Sequence, residues 1–302
     1  IIFIGIINAF GIKKVGQFQF ITTLLKIIPL LATIIIGVFV FNSSNFTPIN
    51  ISPNTNLEAL TITTALTFFA FLGIESATIP ADKIKNPKST IPKATMIGTS
   101  LTFLIYVLSS IAIIGIMSPS EIVLSNAPYA DAMGFVLGES AKSIIAIFAI
   151  ISGLGCLNGW TLLQIEIPKN LAKKKLIGSI FLEKGSNRVP IKGLIISTIL
   201  VIILLCLNYT KGLTNIFTYL ILTSTFCTLI LYFFISLSEI INVFKNKKSS
   251  SKYSDSLVTG ICAFLFCIWM IIGVGFESII SGIILLSLSI PIYIYQKNYA
   301  RP

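Results

Sequence analysis

Eight long apolar runs, nearly free of charge, decide what this chain can fold into. They cover about 17–41, 59–80, 94–117, 143–165, 193–209, 213–238, 256–274 and 278–296, and each is close to the roughly 20 residues an α-helix needs to cross a bilayer. In hydrocarbon, every backbone N–H and C=O must be bonded inside the structure, so only helices and closed barrels span it. Runs of this length exceed a barrel strand, so the chain reads as an all-α integral membrane protein whose immediate partner is the lipid bilayer. Charged residues make up 11% of it, against about 25% in soluble domains. Residues 1–10 are apolar too, but too short to cross.

The net charge of +11 would suggest nucleic acid for a soluble protein, but its distribution excludes that partner. Nineteen of the 22 basic residues fall on one side of the eight spans, only Lys142 and Lys211 fall on the other, and Lys26 lies within a span. This alternation places the basic side, and with it the C-terminus, in the cytoplasm; a cytoplasmic (inner) membrane protein is expected.

Histidine is absent, which removes His-based metal sites and catalytic triads. The five cysteines lie in apolar spans without metal or redox spacing and read as small buried hydrophobes. No metal or cofactor is implied, and no enzyme, since no cluster of catalytic groups is visible. Sequons at Asn42, Asn45 and Asn50 fall in one Asn/Ser/Thr-rich outer loop, where chance matches are expected.

Chemistry concentrates at three places. The first is Phe68-Phe69-Ala70-Phe71-Leu72-Gly73-Ile74-Glu75-Ser76. A carboxylate in hydrocarbon is costly and usually faces a wet cavity or a partner. Gly73 and Ser76 stand where a membrane helix can open and offer backbone groups to a ligand. The segment reads as a broken helix with an ionisable group at the break; the alternative is a carboxylate tied off by backbone amides. The second is Lys26, ahead of Pro29 and roughly 15 Å into its helix at about 1.5 Å per residue. It is either a snorkelling lysine or a cation aimed at an internal site. The third is Ser152-Gly153-Leu154-Gly155-Cys156-Leu157-Asn158-Gly159-Trp160, where small residues allow close helix approach. Trp160 is a packing residue or the wall of a cavity.

Elsewhere the expectations are plainer. Gly11–Gly16 reads as a short basic turn, and Pro87 and Pro92 read as stiffening a basic connector. Glu166 reads as half of an inner-surface ion pair of little energetic value. The hydroxyls of Thr223-Ser224-Thr225 are expected to bond back to their own helix. Trp269 reads as helix packing, and the last two spans as scaffold or a homodimer surface.

The run Thr67-Phe68-Phe69-Ala70-Phe71-Leu72-Gly73-Ile74-Glu75-Ser76-Ala77, with Lys85-Asn86-Pro87 and Thr90-Ile91-Pro92-Lys93-Ala94, resembles helix 6 and the following loop of the amino acid–polyamine–organocation (APC) transporters. Gly155-Cys156-Leu157-Asn158-Gly159-Trp160-Thr161-Leu162-Leu163 resembles helix 8 of their basic amino acid and polyamine antiporter branch, which includes arginine/agmatine and putrescine/ornithine exchangers. The likeness extends over nearly the whole chain.

That resemblance implies the inverted-repeat APC fold of twelve helices. The chain, beginning at Ile1 inside an apolar run, would hold the end of helix 4 and helices 5–12, with helices 1–3 absent. Substrate would sit between broken helices 1 and 6. By position, Phe69 matches an aromatic gate, Ala70, Leu72 and Gly73 match the pocket lining, and Trp160 matches a cavity-wall tryptophan able to stack on a cation. Glu75 matches a carboxylate implicated in proton response. Lys26 departs from the exchangers and resembles the proton-coupled permeases, where such a lysine replaces a sodium ion. Lys174-Lys175-Leu176-Ile177-Gly178 departs from the Asp-Gly-Leu-Phe-Pro of relatives. The resemblance implies alternating-access transport of amino acids or polyamines, by exchange or with protons. The second reading is a truncated remnant that no longer transports.

Overall fold

The computed structural model describes residues 2–9, 12–78, 84–182, 190–208, 213–245 and 251–299. Among them are helices and no strand. The helices are α1 (Ile2–Ala9), α2 (Ile12–Phe39), α3 (Asn56–Phe68), α4 (Pro87–Ile116), α5 (Pro119–Leu124), α6 (Pro128–Leu137), α7 (Glu139–Lys173), α8 (Ile191–Asn208), α9 (Leu213–Lys245), α10 (Ser251–Val274), α11 (Phe276–Ser287) and α12 (Ser289–Tyr299). Seven stretches among the described residues are long and apolar enough to cross a membrane. The run expected at 193–209 is the shorter apolar helix α8, and α11 and α12 divide the last span at Leu288. Several residues that carry the charge argument, including Lys83, Lys184, Arg188, Lys211, Lys247 and Lys248, lie outside the described residues, as does Pro80.

Two helix starts differ from expectation. The basic turn at 11–16 is taken up by α2, which is already helical from Ile12; Gly16 has open space around it and imposes no break. The proline-stiffened connector is also shorter than read. Pro87 is the first residue of α4, and Pro92 lies inside its early turns. Proline suits a first helical position because its missing N–H has no intrahelical partner there. Pro92 costs only the bond to the carbonyl of the exposed Lys88.

The chain divides into two compact units, Ile1–Ile51 with Ile74–Leu204, and Ser52–Gly73 with Leu205–Pro302. In the first unit, small residues bring helices together. A methyl at Gly37 of α2 would lie 2.6 Å from the Ala112 Cβ of α4, and one at Gly155 of α7 would lie 2.5 Å from Thr22 Oγ1 of α2. Such approaches are the main adhesive between helices in lipid, where apolar side chains gain nothing by leaving one apolar surface for another. Ile113, Ile116, Met117 and Ala132 form a core between α4 and α6. The 42–45 segment is tied to the end of α4, with Asn45 Nδ2 donating to the Ile114 carbonyl at 2.9 Å, so this sequon asparagine has a structural role.

Around α6, Ser125 Oγ donates to Asp131 Oδ2 at 2.5 Å, and Lys142 Nζ lies 3.1 Å from Asp131 Oδ1. The Ser125 hydrogen bond, followed by Lys142, holds the Asp131 carboxyl below the usual aspartate range. A carboxyl depressed by folding lends stability above its ordinary pKa and loses it as pH falls through the folded-state value. Acidification is therefore expected to loosen residues 125–142 first, read as protease cleavage against pH, and Asp131→Asn should remove that acid step. An unchanged acid profile in Asp131→Asn would exclude this role.

In the second unit, Ala65, Phe226, Leu229, Cys267, Met270 and Val274 form the core between α3, α9 and α10. Gly273 is required there, because a methyl on it would stand 2.5 Å from the Thr61 carbonyl oxygen. Beside that contact, Trp269 Nε1 donates to Thr61 Oγ1 at 3.0 Å, so this tryptophan joins two helices through a hydrogen bond as well as by packing. The expected back-bonding in α9 is not seen for Thr223 and Thr225. Both hydroxyls are buried, and neither has a hydrogen-bond partner among the described residues. Nor are the cysteines uniformly buried: Cys267 is, Cys227 is half-buried, Cys156 and Cys262 are exposed, and the Cys206 side chain lies outside the described residues. In a bilayer an outward face meets lipid, which accepts a small hydrophobe as readily as a core does.

Candidate functional site

The break in the 59–80 span is built locally. Thr55 caps α3 in a reciprocal box with Glu58: Glu58 N donates to Thr55 Oγ1 at 3.4 Å, and Thr55 N donates to Glu58 Oε2 at 3.0 Å. The α-helix then runs to Phe68, tightens into a 3₁₀ turn over Phe69–Phe71, and stops. Leu72 is extended, with φ −66° and ψ 143°, and its N–H donates to the Phe69 carbonyl at 3.1 Å. Gly73 takes φ +100°, a conformation that costs glycine little and L-residues much. A second 3₁₀ turn covers Ile74–Thr78, with Thr78 Oγ1 donating to the Glu75 carbonyl at 2.6 Å.

One extended residue followed by one at positive φ interrupts the i→i−4 ladder and releases backbone groups from it. Phe69, Leu72, Gly73 and Glu75 are all half-buried at this break, and Ala70 is exposed. The carbonyl end of α3 carries the negative end of its dipole, suited to a cationic group. Glu75 adds a carboxylate two residues after Gly73. The division between the two units falls between Gly73 and Ile74, so Phe69, Ala70, Leu72 and Gly73 belong to one unit, while Glu75, Lys26 and Trp160 belong to the other.

Within that other unit, α2 and α7 pack antiparallel, with Thr22 opposite Gly155 and Gln19 opposite Gly159. Lys26 is half-buried, one turn beyond Thr22 on the same stripe of α2. The buried stripe of α7 runs through Gly155, Asn158, Thr161, Ile165, Glu166, Lys169 and Ala172. Trp160 lies off it and is 47% exposed, so it is not a packed core residue.

Two polar arrangements on that stripe differ from the sequence reading or escaped it. Glu166 and Lys169, expected at an exposed inner surface, are 6% and 4% exposed, with Lys169 Nζ 3.7 Å from Glu166 Oε1. Both residues lie on the buried stripe of α7, which continues to Lys173, and the turn at Ser179–Phe181 also packs against this helix. The second is a network of amides. Asn158 Nδ2 donates to the Val15 carbonyl at 3.3 Å and to Gln19 Oε1 at 3.1 Å. Asn8 Nδ2 donates to Asn158 Oδ1 at 3.2 Å and to the Ile4 carbonyl at 3.0 Å. The only signal available in the sequence was the presence of amides within apolar runs, where polar groups are retained for a reason.

A family model described as amino acid permease matches residues 1–288. Among curated proteins, the chain is 26% identical over 302 residues to the cadaverine/lysine antiporter of Escherichia coli strain K12, covering 98% of this chain and 67% of that protein. It is 28% identical over 305 residues to the arginine/agmatine antiporter of Chlamydia abortus, covering 96% and 62% respectively. It is 26% identical over 282 residues to the putrescine transporter PotE of Haemophilus influenzae, covering 92% and 64%. The chain thus spans about two thirds of the length of these relatives, which are transporters rather than enzymes.

Proposed function

The chain belongs to the amino acid permease family, and on that premise we propose that it carries out secondary transport of amino acids or polyamines by alternating access. The observation that carries this reading is the broken helix at Leu72–Gly73 with Glu75 directly behind it. In a multi-pass membrane protein, a helix break beside an ionisable group is a form that a polar binding site takes at membrane depth. Basic amino acids and polyamines are the substrate class, since the carbonyl end of α3, the Glu75 carboxylate and the exposed ring of Trp160 all favour a cation. Phe69, Ala70, Leu72, Gly73 and Trp160 are the proposed substrate contacts. Glu75 and Lys26 are the proposed proton-coupling groups. The named relatives favour this reading over a remnant without transport. The inner membrane is the proposed location, with the C-terminus cytoplasmic, and the last two spans, α10 and α11–α12, are the proposed homodimer surface.

Uptake of labelled arginine, lysine, ornithine and putrescine into proteoliposomes tests the reading, in parallel with an imposed proton gradient or an internal counter-substrate. Uptake that needs internal substrate identifies exchange; uptake driven by the gradient alone identifies proton coupling. Trp160→Ala should raise KM for the cationic substrate about two- to thirtyfold, the range carried by a cation–π contact of about 0.5–2 kcal/mol. No uptake of any of the four by folded protein would overturn the proposal.

A further inference from the structure

We propose that Asn158 is a positioning residue: its buried amide network fixes the rotation of α7 and thereby aims Trp160. The inference rests on the reading of Trp160 as a substrate contact. Asn158 is fully buried and Asn8 is 2% exposed. Together with Gln19 they join α7, through Asn158, to two consecutive helices far from it in sequence, α1 through Asn8 and α2 through Gln19. Asn158 uses both ends of its amide, accepting from Asn8 and donating to Val15 and Gln19.

The geometry gives this network leverage. Trp160 follows Asn158 by two residues, which at 3.6 residues per turn places it about 200° round the helix. With Asn158 bound inward, the ring is held on the opposite side, where it is 47% exposed. Apolar contact alone sets such a rotation weakly, because lipid is as good an environment for a leucine as a neighbouring helix. Gly155 and Gly159 offer no side chain to act as a stop; Gly155 lies against Thr22, and a methyl at Gly159 would meet Gln19 Oε1 at 3.4 Å. The hydrogen bonds of Asn158 are the directional contacts at this level of α7. Asn8 Oδ1 is buried without a partner among the described residues, which marks the network as retained despite a polar cost.

The test uses the full chain in a Trp269→Phe background, so that Trp160 is the sole tryptophan and can be excited selectively. Asn158→Leu should change the emission maximum and acrylamide quenching of Trp160. It should also raise KM about tenfold with kcat within about twofold, the pattern of a displaced contact. Should Asn158→Leu fail to fold, Gln19→Leu removes a single bond and should move both readouts in the same direction by less. Wild-type quenching in a folded variant, or altered quenching with an unaltered KM, overturns the assignment. If the unmutated chain transports none of the substrates, the proposed function fails, and the quenching measurement still decides whether Asn158 orients Trp160.

Discussion

Gly73→Ala is expected to lower both the thermal stability and the transport rate of the chain, and Gly73→Val to do so more severely. Gly73 holds φ +100°, where a Cβ meets its own backbone; non-glycine residues in such regions cost about 1–3 kcal/mol. Relief would require the chain to leave that conformation, and the extended Leu72 before it could then revert to helix. The break would then close. Gly98→Ala and Gly153→Ala are the controls, because both glycines lie within helices with open space where a methyl would go. Alanine there should be neutral or stabilising by up to about 1 kcal/mol. Thermal unfolding in detergent and initial uptake rates measure the two effects. Gly73→Ala that behaves like Gly98→Ala would show that the positive φ is not required.

The second large effect concerns the buried pair on α7. Lys169→Met should destabilise the protein by about 3–5 kcal/mol, the usual result of stranding one buried charge, because Glu166 is left at 6% exposure without its cation. Glu166→Gln should be destabilising by the same reasoning, since it leaves the Lys169 ammonium at 4% exposure without its anion. The double variant Glu166→Leu with Lys169→Met should recover most of the loss, since well-packed apolar residues often match a buried ion pair in stability. A double-mutant cycle on unfolding midpoints reads this coupling directly. Additive losses would mean that the two charges are stabilised by separate surroundings and that the pair is incidental.

The break at Leu72–Gly73 was legible because both of its parts are anomalies in lipid. A glycine and a carboxylate two residues apart in an apolar run have few explanations, and of the two residues read as able to open the helix, Gly73 and Ser76, the break falls at Gly73. The start of α4 was misread because Pro87 and Pro92 were taken to hold the residues before them extended, whereas at a first helical position proline breaks nothing. Glu166 was misread for a different reason. Its distance along α7 suggested an exposed inner end, but it lies on the stripe of that helix that is buried against its neighbours. The buried, unpartnered hydroxyls of Thr223 and Thr225 likewise depend on what surrounds α9.

The all-helical membrane class followed from the one-dimensional pattern, since the cost of an unbonded backbone in hydrocarbon acts on each run separately and needs no partner to be known. The family likeness was also readable in one dimension, because it rests on local strings such as Phe71-Leu72-Gly73-Ile74-Glu75 and Asn158-Gly159-Trp160. What only the tertiary structure decided is which polar groups meet. Asn8 and Asn158 are 150 residues apart, and Thr61 and Trp269 are 208 apart. A hydrogen bond between such residues is fixed by helix rotation and depth to within a fraction of an ångström. Apolar periodicity leaves both free in a bilayer, where every outward face is already in a favourable solvent.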